Sequence, residues 1–269
     1  MTMDVERLRS KYGPWALITG AARSEGLGFE FGRQLAEVGM NLVLVDVLHE
    51  EVETRAGELR SSAGVDVLPI GMDLGRKDFL AALTAGVGGR EVGLLVCNHM
   101  YTPTDTPTFL DMELSALDAM LDINARAYTH LIHAFGNAMA SRGRGGIVVV
   151  SSGASMTAAP YALSYSANKA YQRILGEGLS FELARLGVDV LVVVAGLMNT
   201  QGDAMDGYPR AMVMETEPVV REVLEGLGNE IRVTPGLLNK AVVFVQSRLM
   251  TANAAVNQVG RFMARGLKK

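Results

Sequence analysis

Tyr165 and Lys169 stand four residues apart in the run Tyr-Ser-Ala-Asn-Lys. On a helix that spacing puts both on one face, about one turn apart. A free tyrosine has a pKa of about 10 and is a poor acid or base at neutral pH. A lysine cation beside it favours the phenolate and moves the phenol toward the working range. Thirteen residues before Tyr165 lies Ser152, just beyond the apolar, β-branched run Ile147 to Val150. That run reads as a buried strand, and Ala170 to Leu186 reads as a helix. A hydroxyl at the strand end can hold a substrate oxygen while Tyr165 moves the proton.

Such a pair needs elements that position it. Trp15 to Thr19 is an apolar run, the first strand. Gly20-Ala-Ala-Arg23-Ser-Glu25-Gly26-Leu27-Gly28 follows, and then a helical pattern to Val38. A glycine-rich turn between strand and helix lets a pyrophosphate approach the backbone and the helix N-terminus. Asn41 to Val47 is the second strand, with Asp46 at its end, 18 residues beyond Gly28. A carboxylate there can accept both hydroxyls of an adenine ribose and would repel a 2′-phosphate. Val47 brings no cation. Arg23 is the contrary sign, and Glu25 beside it partly cancels it. NAD is therefore expected over NADP.

Glu50 to Ser61 reads as a charged helix, and Val65 to Met72 as a third strand that ends in Asp73-Leu74. An Asp at that point also fits a helix cap. Val92 to Val96 is the fourth strand, followed by Cys97-Asn98-His99-Met100. A lone His99 is expected to be structural. Tyr101 to Phe109 carries two prolines and reads as a loop. Asp111 to Ser141 reads as one long helix with Asn124 inside it, where Asn is a poor helix former. His130 and His133 have no metal-ligand company, and no metal is expected. Val188 to Val194 is continuously apolar, as a central parallel strand should be. Ala195-Gly196-Leu-Met198-Asn-Thr200 follows. Pro218 to Leu227 reads as a helix, Glu230 to Thr234 as the last strand, and Leu237 to Met250 and Asn253 to Leu267 as two further helices. The tail is amphipathic with few basic residues, so docking on protein is expected rather than on a membrane surface.

Taken in order, the Gly-rich turn, the acid after the second strand, the Asn, the Ser…Tyr-x-x-x-Lys set and the Gly-x-x-x-Thr resemble the short-chain dehydrogenase/reductase family over essentially the whole chain. The resemblance implies an α/β fold: a Rossmann-type, doubly wound parallel sheet, its strand order switching at the first and fourth strands. It implies a single domain over 1–269 with a C-terminal helical extension over 236–267. It implies an NAD(P)-dependent oxidoreductase that interconverts a ketone and a secondary alcohol. In that reading Ser152 holds the substrate oxygen and Tyr165 is the general acid–base. Lys169 lowers the Tyr pKa and holds the ribose, and Asn124 holds a water that relays protons to it. Gly20, Arg23, Gly26, Leu27 and Gly28 would cradle the phosphates, and Asp46 the ribose. Asp73 and Leu74 would meet the adenine edge, with Asn98 at the fourth strand's end. The Met198 backbone would face the nicotinamide carboxamide, and Gly196 and Thr200 would contact the cofactor.

Gln201 to Pro218, with Met205, Met212, Met214 and Tyr208, would cover the substrate, and a Met-rich cover suits an apolar, bulky one. The family pairs its two long helices across a two-fold axis, here Asp111–Ser141 and Tyr165–Leu186, which implies a homodimer or homotetramer.

Three departures stand out. Five residues, not three, separate Gly20 from Gly26, a spacing closer to the divergent enoyl-reductase branch. His99 and Met100 replace Ala and Gly, and Ala195 replaces Pro. The front, Tyr-Gly-Pro-Trp, and the helical ending resemble the branch near hydroxysteroid and long-chain 3-oxoacyl reductases. Two other readings use the same residues: a non-redox isomerase, cyclase or lyase, and a non-catalytic dinucleotide-binding protein.

The 269 residues allow one α/β domain, or two at most. An apolar content of 49% allows a full core. The net charge is −4 with acids and bases interspersed, so no stripe for nucleic acid is present. The single Cys97 excludes an internal disulfide and fits a reducing cytosol. The charged start (Asp4, Glu6, Arg7, Arg9, Lys11) has no apolar signal core. No apolar run approaches the roughly 20 residues needed to cross a bilayer.

Overall fold

The computed structural model describes residues 4–103, 108–200, 210 and 213–266. Helix α1 (Val5–Tyr12) precedes β1 (Trp15–Thr19), α2 (Leu27–Glu37), β2 (Asn41–Asp46), α3 (His49–Ala63) and β3 (Val67–Gly71). Next come α4 (Phe79–Val87), β4 (Val92–Cys97), α5 (Leu114–Leu121), α6 (Ala127–Arg142), β5 (Gly145–Ser152) and α7 (Leu163–Ala184). The chain ends with β6 (Val188–Ala195), β7 (Leu197–Met198), β8 (Val213–Met214), α8 (Thr216–Gly226), β9 (Arg232–Val233), α9 (Leu237–Phe244) and α10 (Ala252–Gly266).

Seven strands form one parallel sheet in the order β3-β2-β1-β4-β5-β6-β9. The order reverses between β1 and β4, so a crevice opens outside their carboxyl ends. Pleat alternation explains why the central strands are apolar throughout. Ala16, Ile18, Leu42, Leu44, Leu94 and Val96 face one core with α1, α2, α3 and α8. Leu17, Val43, Val45, Leu95 and Cys97 face the other with α4, α6 and α7. Both faces are covered, as a parallel sheet requires. Cys97 is buried and its thiol pKa is raised by that burial, so it is an inert core residue. No helix among the described residues is long and apolar enough to cross a membrane.

The observed elements differ from the expected ones at identifiable places. The long helix expected over Asp111–Ser141 is broken. A 3-10 turn (Phe109–Asp111) leads to α5, and a wide π turn, Asp122–Arg126, separates α5 from α6. Helix α7 starts at Leu163, so Tyr165 and Lys169 lie on its first turns. The last strand shrinks to Arg232–Val233. Residues Val245–Leu249 form a second π turn that ends the helix expected to reach Met250. Helices α1 and α4 and the small β7–β8 pair were not anticipated. The tail does dock on the domain's own body: Ala255 of α10 is buried, and Gly260 sits against Pro160.

Candidate active site

The candidate constellation is built where β5 ends and α7 begins. Two reciprocal bonds stitch these elements together. The Ser151 hydroxyl donates to the Lys169 carbonyl (2.7 Å), and Lys169 Nζ donates to the Val150 carbonyl (2.8 Å). A third tie comes from Ser166, whose hydroxyl donates to the Ala154 carbonyl at 2.8 Å. Ser152 closes β5, and its Oγ accepts from the Ala154 N–H. The Ser152 side chain also lies close enough to the Tyr165 phenol to favour its ionised form. Lys169 Nζ lies 5.9 Å from the centre of the Tyr165 ring. Ser152, Tyr165 and Lys169 are thus brought together.

The electrostatics differ from the sequence expectation. Burial raises the Tyr165 pKa, and only the Ser152 side chain opposes it. Burial likewise lowers Lys169 from the ordinary lysine value of 10.5 to about 7. The expected lowering of Tyr165 by a lysine cation is not what dominates here, because the ammonium is directed at Val150 and both groups are dehydrated. The phenol therefore keeps its proton at neutral pH.

Asn124 is buried, 1% exposed, inside the π turn. Its side chain grips the loop after β4: Nδ2 donates to the Tyr101 carbonyl (2.7 Å), and Oδ1 accepts from the Tyr101 N–H (2.8 Å). Its carbonyl accepts from Gln172 Nε2 of α7 at 2.8 Å. The neighbouring Ile123 carbonyl meets His99 Nε2 at 3.0 Å. A widened turn releases carbonyls from the helix ladder, and here side chains from two other elements take them. Asn124 is therefore joined to Tyr101 and Gln172 rather than directly to Lys169.

His99 is buried, and burial lowers its pKa to about 3, so it is a neutral imidazole. With Nε2 donating to Ile123, Nδ1 is left to accept from the Thr19 hydroxyl at 2.7 Å. Its expected structural role is the one observed.

The other half of the site is the turn from β1 to α2. The two additional residues fold into an exposed tight turn, closed by Gly26 N–H donating to the Arg23 carbonyl (2.9 Å). Gly26 then caps α2 without any side-chain bond, and Leu27 and Gly28 open the helix. The first N–H groups of α2 keep the unsatisfied, electropositive character that suits an anion. Gly20 has φ 71°, a conformation that favours glycine. A Cβ on Gly28 would run into the Gly20 carbonyl oxygen. That oxygen is held by Asn98 Nδ2 at 3.0 Å, so Asn98 fixes the turn.

Asp46 closes β2. Its Oδ2 accepts from Ala22 N–H (3.0 Å) and its Oδ1 from Leu48 N–H (3.1 Å). Beside it lies a cleft of about 370 Å³ lined by Ala22, Arg23, Ser24, Glu25, Leu48, Glu51, Arg55 and Thr200. Asp73 is exposed and holds its own turn by accepting from Gly75 N–H (2.8 Å); Leu74 is buried against the second core. Met198 lies in β7, and Gly196 leaves room for the Asn239 amide. The turn, its bare helix end and the cleft match what a dinucleotide's pyrophosphate and ribose require.

A second cleft reaches Tyr165 and is lined by Thr102, Phe109, Met112, Met120, Tyr161 and Leu163, among others. Its described wall carries no charged side chain. Most of the segment expected to cover the substrate, 201–209 and 211–212, lies outside the described residues. Sequence reasoning missed Ser151, Ser166, Gln172 and Tyr161. Ser151 and Ser166 flank residues that were singled out, so only their three-dimensional partners distinguish them.

A family model for short chain dehydrogenases matches residues 14–207. A 7beta-hydroxysteroid dehydrogenase of Collinsella aerofaciens is 29% identical over 266 residues, covering 95% of this chain and 98% of that protein. A very-long-chain 3-oxoacyl-CoA reductase of Podospora anserina is 35% identical over 200 residues, covering 72% of this chain and 57% of that protein. A structure solved to study 7beta-hydroxysteroid dehydrogenase stereoselectivity superposes with a TM-score of 0.87 at 26% identity, covering 94% of this chain and 98% of that one.

Proposed function

The chain belongs to the short-chain dehydrogenase family and is an oxidoreductase, and we propose that it interconverts a ketone and a secondary alcohol on an apolar or bulky substrate, using NAD. The observation that carries this is the Ser152 side chain set beside the half-buried Tyr165 phenol, with Lys169 over the ring. When bound, a nicotinamide would supply the hydride in the reducing direction and accept it in the other. Ser152 holds the carbonyl oxygen and directs it at the phenol. Tyr165 gives that oxygen its proton in reduction and takes the alcohol proton in oxidation. Its raised pKa keeps the proton in place until the developing alkoxide calls for it. Lys169 stabilises the phenolate left behind and holds a ribose hydroxyl. Asn124 organises the relay by joining the loop after β4 to α7. The single buried Cys97 is consistent with work in a reducing cytosol.

The preference for NAD in this reading rests on Asp46, whose carboxylate accepts from the N–H groups of Ala22 and Leu48, two residues that line the cleft. A 2′-phosphate there would meet like charge, which costs several kcal/mol at an interface. Arg23 and Arg55 in that cleft are matched by Glu25 and Glu51. Loss of reduced-nicotinamide absorbance with a panel of medium-chain and polycyclic ketones tests the reaction. No turnover on any ketone or alcohol, with NADH bound tightly, contradicts it. Direct titration should give tighter NADH than NADPH, with Asp46→Ala narrowing the gap. A preference for NADPH in the unmodified protein makes Arg23 the dominant group instead.

A further inference from the structure

Ala159-Pro160-Tyr161-Ala162 is a turn closed by the Ala162 N–H donating to the Ala159 carbonyl at 3.0 Å. Tyr161 has φ 67°, and among the described residues it alone is a non-glycine residue with positive φ. Proline at the second position and positive φ at the third are the signature of a type II turn, whose third position favours glycine or asparagine. A tyrosine there is strained, and such strain persists only where the surroundings impose it. The surroundings do so from two sides. Ala159 is buried and its N–H donates to Ser166 Oγ at 3.2 Å, tying the turn to α7. Gly260 of α10 backs Pro160.

The strained backbone carries an aromatic ring that the core does not use. Tyr161 is 40% exposed and lines the cleft that reaches Tyr165, with Phe109, Met112, Met120 and Leu163. Glycine would relieve the backbone and delete the ring. The geometry points to Tyr161 as a specificity-determining residue whose ring lies against the face of a flat, fused-ring, uncharged ketone. This rests on the oxidoreductase reading above and narrows its substrate class. An aromatic plane and thioether side chains suit a flat apolar surface, and among the described residues the cleft wall offers no charge to an anionic carrier.

The test uses the full chain and three proteins: unmodified, Tyr161→Gly and Tyr161→Phe. Equilibrium dialysis of a fused-ring ketone against each protein with NADH present reads binding without needing turnover. Tyr161→Gly should weaken that binding about tenfold or more and raise KM in step. It should leave NADH affinity and the KM of a short open-chain ketone unchanged, without lowering the thermal midpoint. Tyr161→Phe should bind as the unmodified protein does. Equal losses on both ketones, or a lowered midpoint with unchanged selectivity, would make the ring ordinary packing and overturn the proposal. Unchanged fused-ring binding in Tyr161→Gly overturns it as well. Failure of the oxidoreductase reading is separate: it shows as no turnover by the unmodified protein even where the fused-ring ketone binds.

Discussion

At the scale of single residues, Lys169 is the group whose state the fold alters most plainly. Its pKa falls from 10.5 to about 7 because burial penalises the cation. Below about pH 7 both the folded and the unfolded chain carry the proton, and the fold bears the whole burden of burying it. Between there and 10.5 the unfolded chain keeps the proton and the folded one sheds it. Stability therefore rises with pH through that window, and above it the burden is gone. Lys169→Met should raise the thermal midpoint of the cofactor-free protein at pH 6, and the gain should shrink toward pH 10. A gain equal at both pH values would mean Lys169 does not titrate in this range. The same variant should lose NADH affinity and turnover together, since in the proposed mechanism one amine serves both ribose and phenol. Tyr165, Lys169 and Ser152 were legible because their spacing is local and their order is fixed by strand and helix. The direction of the Tyr165 shift was not, because desolvation depends on what covers a residue and no spacing reports that.

At the scale of elements, the π turn Asp122–Arg126 does the most for the site. It diverts two carbonyls to His99 and Gln172 and centres Asn124 on the Tyr101 backbone. The sequence pattern reads straight through it, since one extra residue per turn barely disturbs a 3.6-residue period over so short a stretch. The buried Asn124 was the one sign, a polar residue poorly suited to a helix interior. Asn124→Ala deletes both bonds to Tyr101, and leaving such partners unpaired costs about 1–3 kcal/mol. Denaturant unfolding should show a loss of that size, and turnover should fall further than the folded fraction does. A variant as stable and as active as the parent would remove the turn from the mechanism. The lengthened β1–α2 turn is a similar case. Its extra residues were counted correctly, but only the Gly26 to Arg23 bond shows that they loop outward and leave Gly28 against Gly20.

At the scale of the whole molecule, alternating strand and helix patterns made the strands legible, and the sheet order with its crevice between β1 and β4 followed from the family resemblance carried by the ordered motifs. The tail's placement was not, since amphipathicity says that a helix docks and not where. Large apolar side chains stand exposed on α5 and α7, with Leu114 at 76%, Leu121 at 56%, Ile174 at 59% and Phe181 at 86%. Exposed apolar faces of this kind mark association surfaces. Light scattering at micromolar concentration should give a dimer or tetramer, and Phe181→Glu should shift it toward monomer; a monomer in the unmodified protein contradicts this. The account as a whole turns on proton transfer by Tyr165 beside a bound nicotinamide. Its most direct test is Tyr165→Phe, measured for NADH affinity and for turnover of a ketone that the unmodified protein reduces. Affinity should stay nearly unchanged and turnover should fall by about 10²–10⁴-fold, the usual weight of general acid–base catalysis. Turnover near that of the unmodified protein would contradict the account.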